Sequence, residues 1–418
     1  MSFTHNHWIR RLQAFCNTAL LWSIVFLFLF VPLSRAAASV FGLAICILFL
    51  LSGNWVHRFK RLQSNYLTTP LMALCSLLLL GYVYSVGSGQ DKLEHLLSYS
   101  RFLLIFILIA CLDTSEWRSR CWQALSLACI LVVASSVLSI WWQLPWGKNL
   151  DRGLGGNHAI FANHLWQNVL VSFFVCLCLF KAKFHSTRSG QWTWLLIAAA
   201  SILSIFFLVQ GRTGQLTAVV SIMLLVFIFL KYKQRLITFI LTALAFIVIF
   251  SSSDVAHQRF EKAANEIHDY TVHKEHNNSS VGLRLHNWNI NSKLVFDRLL
   301  FGYGSGSYAT VAEKAFNDPV VCSTNCTHPH NQFLYFFVEN GFFAMLAFVW
   351  LLVRLVLLGW RADAHSYEKL ALPFTCVLFL HSLVDSPFVV GMDRAFYTSM
   401  IGLLAAGTTH FPKPRQMS

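Results

Sequence analysis

Charge is scarce in this chain. Only 12% of its 418 residues are Asp, Glu, Lys or Arg, against about 25% in soluble globular domains. With 56% hydrophobic residues, that shortage excludes an ordinary soluble domain and marks an integral membrane protein. No internal repeat or low-complexity tract is visible. The basic N-terminal stretch has no clear small-residue cleavage site, so it reads as a retained first helix and not a removed signal peptide. The formal charge of +14 would suggest an acidic partner in a soluble protein. In a membrane chain it is first divided between two faces, so it does not call for nucleic acid. Most of the 11 cysteines sit inside apolar runs as small core residues, and only Cys322 and Cys326 form a close polar pair.

A helix needs roughly 20 predominantly apolar residues to cross the hydrocarbon core. About twelve such runs occur, near 15–33, 36–55, 69–86, 96–112, 122–144, 160–180, 192–209, 216–230, 236–250, 332–360, 370–390 and 395–409. The fourth is the weakest, because it holds Arg101. Every second connection is basic, from Arg10 and Arg11 through "HRFKR" (57–61), Arg118 with Arg120, "KAKFHSTR" (181–188), "KYKQR" (231–235) and Arg361 with Lys369 to Lys413 and Arg415. The connections between hold only Arg35, Lys92, Lys148 with Arg152, Arg212 and Arg394, apart from one long segment. The positive-inside rule then puts both termini in the cytoplasm and the segment 251–331 on the opposite face. Three parts follow: nine helices over 1–250, an outer loop over 251–331, and three helices over 332–418. A loop that long is uncommon unless functional. Residues 254–270 and 281–300 have the mixed three and four spacing of amphipathic helices, with "HKEHNNSS" (273–280) as a turn between them.

Ionisable residues at membrane depth are costly and mark candidate sites. Arg212 is the single charge of a short outer hairpin, flanked by Gly211 and Gly214. Its planar fork would either bind an anionic headgroup or snorkel to ordinary phospholipid. Arg284 lies one turn before Trp288, beside an aromatic surface or simply solvated. The alternating Gly302, Gly304 and Gly306 read as a tight, close-approach loop, since no βαβ context supports a dinucleotide site. In "THPHNQFLYFFVENG" (327–341), Pro329 keeps His328 out of a helix and sets His330 at a helix entrance, beside Asn331. Unperturbed imidazole titrates at about 6.5, so either histidine suits general-base work. Cys322, Cys326, His328 and His330 offer a zinc set, but an oxidising outer compartment favours a Cys322–Cys326 disulfide. Glu339, Asp385 and Arg394 lie in or at the ends of apolar helices as supporting groups, with Glu339 pointing away from His330 on an ideal helix.

These residues carry a resemblance. The chain resembles the O-antigen ligases and their relatives, the O-antigen polymerases and O-linking oligosaccharyltransferases of Gram-negative bacteria. Their hallmark is a histidine, then Asn, Ser or Gln, nine residues, and a glycine; His330, Asn331 and Gly341 match it, with Ala344 a mild departure where Tyr or another small residue is common. The resemblance implies an all-α fold like the C-type membrane glycosyltransferases, with a partly helical periplasmic loop. It also implies a metal-independent, inverting enzyme without cofactor, which moves O-antigen from undecaprenyl diphosphate to the lipid A–core at the periplasmic face of the inner membrane. His330, Arg212 and Arg284 take the essential positions. His330 would either accept the acceptor's proton or donate to the diphosphate. A polymerase would use the same donor. Protein O-glycosyltransferases of this superfamily look longer at the C-terminus, so length favours the ligase. A lipid or glycan transporter is the alternative from another class.

Overall fold

The computed structural model describes residues 2–147, 153, 156–209, 211–230, 232–252, 261–262, 264–268, 271–272, 280–316, 322 and 326–408. Lys148, Arg152, Lys231, Lys413, Arg415, most of 254–270 and the turn at 273–279 lie outside them. The described residues form helices and no strand: α1 Ser2–Phe30, α2 Arg35–Leu51, α3 Trp55–Ser64, α4 Thr68–Tyr84, α5 Gly89–Tyr99, α6 Phe102–Cys111, α7 Ser115–Leu138, α8 His164–Phe184, α9 Arg188–Leu203, α10 Arg212–Phe229, α11 Tyr232–Ser252, α12 Ser280–Asp297, α13 Tyr308–Phe316, α14 Gln332–Arg361, α15 Ala371–Val384 and α16 Gly391–Ala406. Side-chain oxygens of Ser34, Ser88, Asn163, Thr187 and Asn331 take up N–H groups of the first turns of α2, α5, α8, α9 and α14. Those caps satisfy donors that a helix start leaves orphaned.

Every apolar run of the sequence falls on helix among the described residues, and these helices fit a multi-pass integral membrane protein. The expected twelve spans divide by length. Among the described residues, 8 helices are long and apolar enough to cross a bilayer, or up to 9 if the α2–α3 pair, bent by 116°, is one span. α4 is apolar but shorter, as is the stretch Gln234–Val248 of α11. The weak fourth run is one of the 8: α5 ends at Tyr99 and α6 starts at Phe102, Gly89–Cys111 together counts as one candidate span, and Arg101 at the junction donates to the Ser39 hydroxyl at 2.7 Å. α8 is buried along most of its length against α9 and α10, while α14 packs on α4 and α15, and α6 on α16.

Part of the basic charge read as topology is structural. Arg61 of α3 donates to the carbonyls of Ile109, Leu112 and Ala406, tying together the C-terminal ends of α6 and α16. Buried Arg58 holds Ser52 and Asn17 at 2.6 and 2.9 Å. Charge-assisted bonds to carbonyls that have run out of helix partners are the favourable use of arginine at a helix end.

The hallmark glycine has a physical role. Gly341 breaks α14 with φ 72° and ψ −168°, a region open essentially to glycine alone. The break releases two carbonyls: Val338 accepts from Tyr303 N–H at 2.9 Å and Glu339 from Gly304 N–H at 2.6 Å, while Phe342 N–H turns to the Leu299 carbonyl at 2.9 Å. The glycine loop thereby docks into the interrupted helix. On its other side Val86 N–H reaches the Tyr303 carbonyl at 3.0 Å, so the loop is held between α14 and the α4–α5 connection. A Cβ at position 341 would collide with the Leu300 carbonyl. Gly341→Ala should therefore cost about 1–3 kcal/mol from the backbone alone, seen as a lower melting temperature in detergent; unchanged melting would mean the break is not needed.

Candidate active site

The motif histidines stand where two helices meet. Asn331 caps α14, accepting from Phe333 and Leu334 N–H at 2.9 and 3.0 Å, and its amide donates to the Leu383 carbonyl at 3.2 Å. That bond fastens the start of α14 to the end of α15, where Asp385 is the C-cap. His330, one residue before the cap, has φ 50°, left-handed backbone uncommon for a residue with a Cβ. Its Nδ1 lies 3.5 Å from Asp385 Oδ1, with His328 Nδ1 3.6 Å from the same oxygen.

Asp385 is the hub of this corner. Its Oδ1 also accepts from Ser386 N–H at 2.8 Å, and its Oδ2 faces the buried His381 Nε2 at 3.9 Å. His381 in turn holds the Tyr397 hydroxyl at 2.9 Å through Nδ1 and stands 3.9 Å from Asp393. Burial would raise the Asp385 pKa, but the imidazoles of His330, His381 and His328 that face it hold it well below the carboxylate range. Asp385 is thus an anion aimed at His330 Nδ1. A proton held on Nδ1 by that anion leaves Nε2 as the lone-pair nitrogen, the arrangement a general base requires.

His328 is the neutral neighbour. Burial pushes its pKa down to about 4 against the pull of Asp385, with His330 and Arg284 adding to the fall. Its unfolded value is about 6.5, so between pH 6.5 and 4 the unfolded chain binds more protons and stability falls as pH is lowered. His328→Gln should flatten the loss of melting temperature across that window; an unaltered pH profile would contradict the buried neutral imidazole.

Two arginines reach the same region from separate elements. Arg212 opens α10 behind Gly211, whose cap position carries no side-chain hydrogen bond, so a cation stands at the positive end of a helix dipole. The hairpin that holds it follows a π turn at Ser204–Leu208 and is clamped by Asn168 of α8, whose amide donates to the Val209 and Gly211 carbonyls at 3.0 and 3.2 Å. Glu266 accepts from Val281 N–H at 3.1 Å at the start of α12 and forms a loose ion pair with Arg212 at 3.9 Å. Arg284 is the next turn of that helix. Burial lowers its pKa, Asp385 raises it, Arg212 lowers it and Glu266 raises it. Arg284 therefore lies within electrostatic reach of Arg212, Glu266, Asp385 and His328. Its neighbours are these charges; among the described residues no cation–π contact joins it to Trp288.

His328 and Asp385 thus stand beside His330, Arg284 lies within electrostatic reach of both, and Arg212 lies within reach of Arg284. Glu339 and Arg394 do not join that corner by any contact among the described residues. Glu339 pairs with His95 at 2.7 Å, and Arg394 donates to the Phe388 carbonyl at 3.4 Å. Asn168, Glu266 and His381 were not read from the sequence: each is polar inside an apolar or loop stretch, and while the partners of Asn168 and Glu266 lie far off in the chain, His381 stands one helical turn before Asp385, a spacing that could have marked it. Cys322 and Cys326 form a disulfide, which removes both from the zinc set. The groups His328, His330, Asp385 and His381, Asp385, Asp393 each bring three ligand atoms within 4.8 Å. A cation at the first would face the charge of Arg284, which opposes it.

Residues 195–349 match the model of the O-antigen ligase family. The match runs from α9 to the middle of α14 and takes in Arg212, Arg284, His330, Asn331 and Gly341. This supports an O-antigen ligase-like superfamily member, in a family that covers ligases and polymerases, glycosyltransferase-like enzymes of lipid-linked polysaccharide. No curated protein matches the chain.

Proposed function

We propose, with that family match as premise, that the chain is an O-antigen ligase: it transfers O-antigen polysaccharide from undecaprenyl diphosphate to the lipid A–core, at the periplasmic face of the inner membrane. The observation that carries the reading is that the His330–Asp385 pair, Arg284 and Arg212, from four separate stretches of chain, stand as successive electrostatic neighbours.

The donor brings its own leaving group. The acceptor hydroxyl oxygen attacks the anomeric carbon from the face opposite the diphosphate. The carbon–oxygen bond to phosphate breaks, its electron pair leaves with the diphosphate, and the configuration inverts. His330 Nε2 takes the hydroxyl proton while Asp385 holds Nδ1 and stabilises the imidazolium. Charge grows on the diphosphate, and the forks of Arg212 and Arg284 with the N-terminus of α10 are the groups assigned to hold it; preorganised charge in a water-poor site is usually the largest catalytic contribution.

Purified protein would be mixed with lipid-linked glycan and either rough lipopolysaccharide or more lipid-linked glycan. Glycan joined to lipid A–core is the expected product. Longer lipid-linked glycan alone would make the protein a polymerase, and substrate movement without a new glycosidic bond would make it a transporter.

A further inference from the structure

A second polar constellation lies outside the His330 corner. Asp91, Glu94 and His95 of α5, Tyr308 of α13, and Tyr335 and Glu339 of α14 line a cavity of about 340 Å³, within the roughly 300–1,000 Å³ of small-molecule sites. At its wall Glu339, fully buried, pairs with His95 Nε2 at 2.7 Å and accepts from the Tyr335 hydroxyl at 3.2 Å and Tyr308 N–H at 3.1 Å. The Tyr82 hydroxyl meets His95 Nδ1 at 2.6 Å, and Tyr99 stacks on the His95 ring at 4.2 Å. The hydroxyl of Tyr99, itself 7% exposed and part of the lining, makes no hydrogen bond among the described residues. A buried hydroxyl left unpaired costs about 1–3 kcal/mol unless something polar joins it.

We propose that this cavity binds a neutral saccharide ring of a substrate glycan, beside the transfer site. The inference rests on the ligase reading for its substrates. Carboxylates and the Ser98 and Tyr99 hydroxyls offer acceptors and donors to a polyol, and the stacked rings of Tyr99, His95 and Tyr335 make a rigid aromatic wall behind them. Asp91 and Glu94 repel phosphate, so the basic corner keeps the diphosphate and the acidic cavity excludes it. The carboxylates of this cavity do not converge as metal ligands do; the groups that do so among the described residues are the two around Asp385. The cavity also adjoins the reaction: its lining includes Thr327, just before the His328–His330 stretch, and Val389, whose N–H bonds the Ser386 carbonyl beside Asp385.

Saturation-transfer NMR on detergent-solubilised full-length protein tests this with two probes, delipidated core oligosaccharide and O-antigen glycan released from its lipid. Glu94→Lys adds a cation at an exposed rim position, and Ser98→Phe fills the lining. Signal from at least one probe should appear with wild-type protein and persist in His330→Gly, and it should fall about tenfold or more in both rim variants. The probe that responds identifies the ring as the acceptor's or the donor's. Absence of signal from both probes, or signal untouched by both variants, overturns the proposal. A wild-type protein that binds sugar with this dependence yet transfers none defeats the ligase reading and leaves the cavity assignment standing.

Discussion

His330→Gly should leave the protein folded and slow transfer by about a hundredfold to ten-thousandfold, the usual worth of a positioned base. Glycine is the informative replacement. With φ at 50°, His330 holds a backbone conformation that glycine adopts without strain, so the melting temperature should hold or rise while the rate collapses. An alanine variant would mix lost chemistry with a strained backbone. The glycine variant also leaves an opening beside Asp385, and added imidazole should recover part of the rate if the lost group was a base. Normal transfer by a folded glycine variant would remove His330 from the mechanism.

Arg284→Lys should lower the rate by about a hundredfold or more even though the charge is kept, and Arg212→Lys should behave alike. The reason is geometric. A guanidinium presents a rigid fork to phosphate oxygens, whereas an ammonium is a compact, strongly hydrated point charge. Arg284 is half-buried within electrostatic reach of Asp385 and Arg212, so a hydrated lysine head would be poorly accommodated there. Initial rates at saturating acceptor, with folding checked by melting, measure this. A lysine variant as fast as wild type would mean that net charge alone suffices, and the fork would be dropped from the account.

Long-range order in this chain was legible where it depends on composition. All of the apolar runs are helices, and the motif from His330 to Gly341 marks both the histidine corner and the break in α14. What the motif's glycine does was hidden, because the reason lies in the Leu299–Gly304 backbone that docks against it. Glu339 shows the same limit from another side. Helical geometry correctly turned it away from His330, but its partner His95 sits in a helix far earlier in the chain, and no local pattern pairs the two. Asp385 was legible as an ionisable group at a helix end. Its part as the hub of three imidazoles was not, since His381 and His330 reach it from different helix ends. The basic connections spoke for orientation, yet Arg58 and Arg61 are also carbonyl and hydroxyl clamps, a use that charge counting cannot separate.

The most direct measurement is a cryo-electron microscopy structure of the chain in a lipid nanodisc with a non-transferable analogue of the glycan–lipid diphosphate. The diphosphate density should lie between Arg212 and Arg284, with His330 Nε2 on the opposite side of the anomeric carbon, facing the path of the incoming hydroxyl. Diphosphate bound away from both guanidiniums, or an anomeric carbon that His330 cannot approach from the side opposite the leaving group, would contradict it.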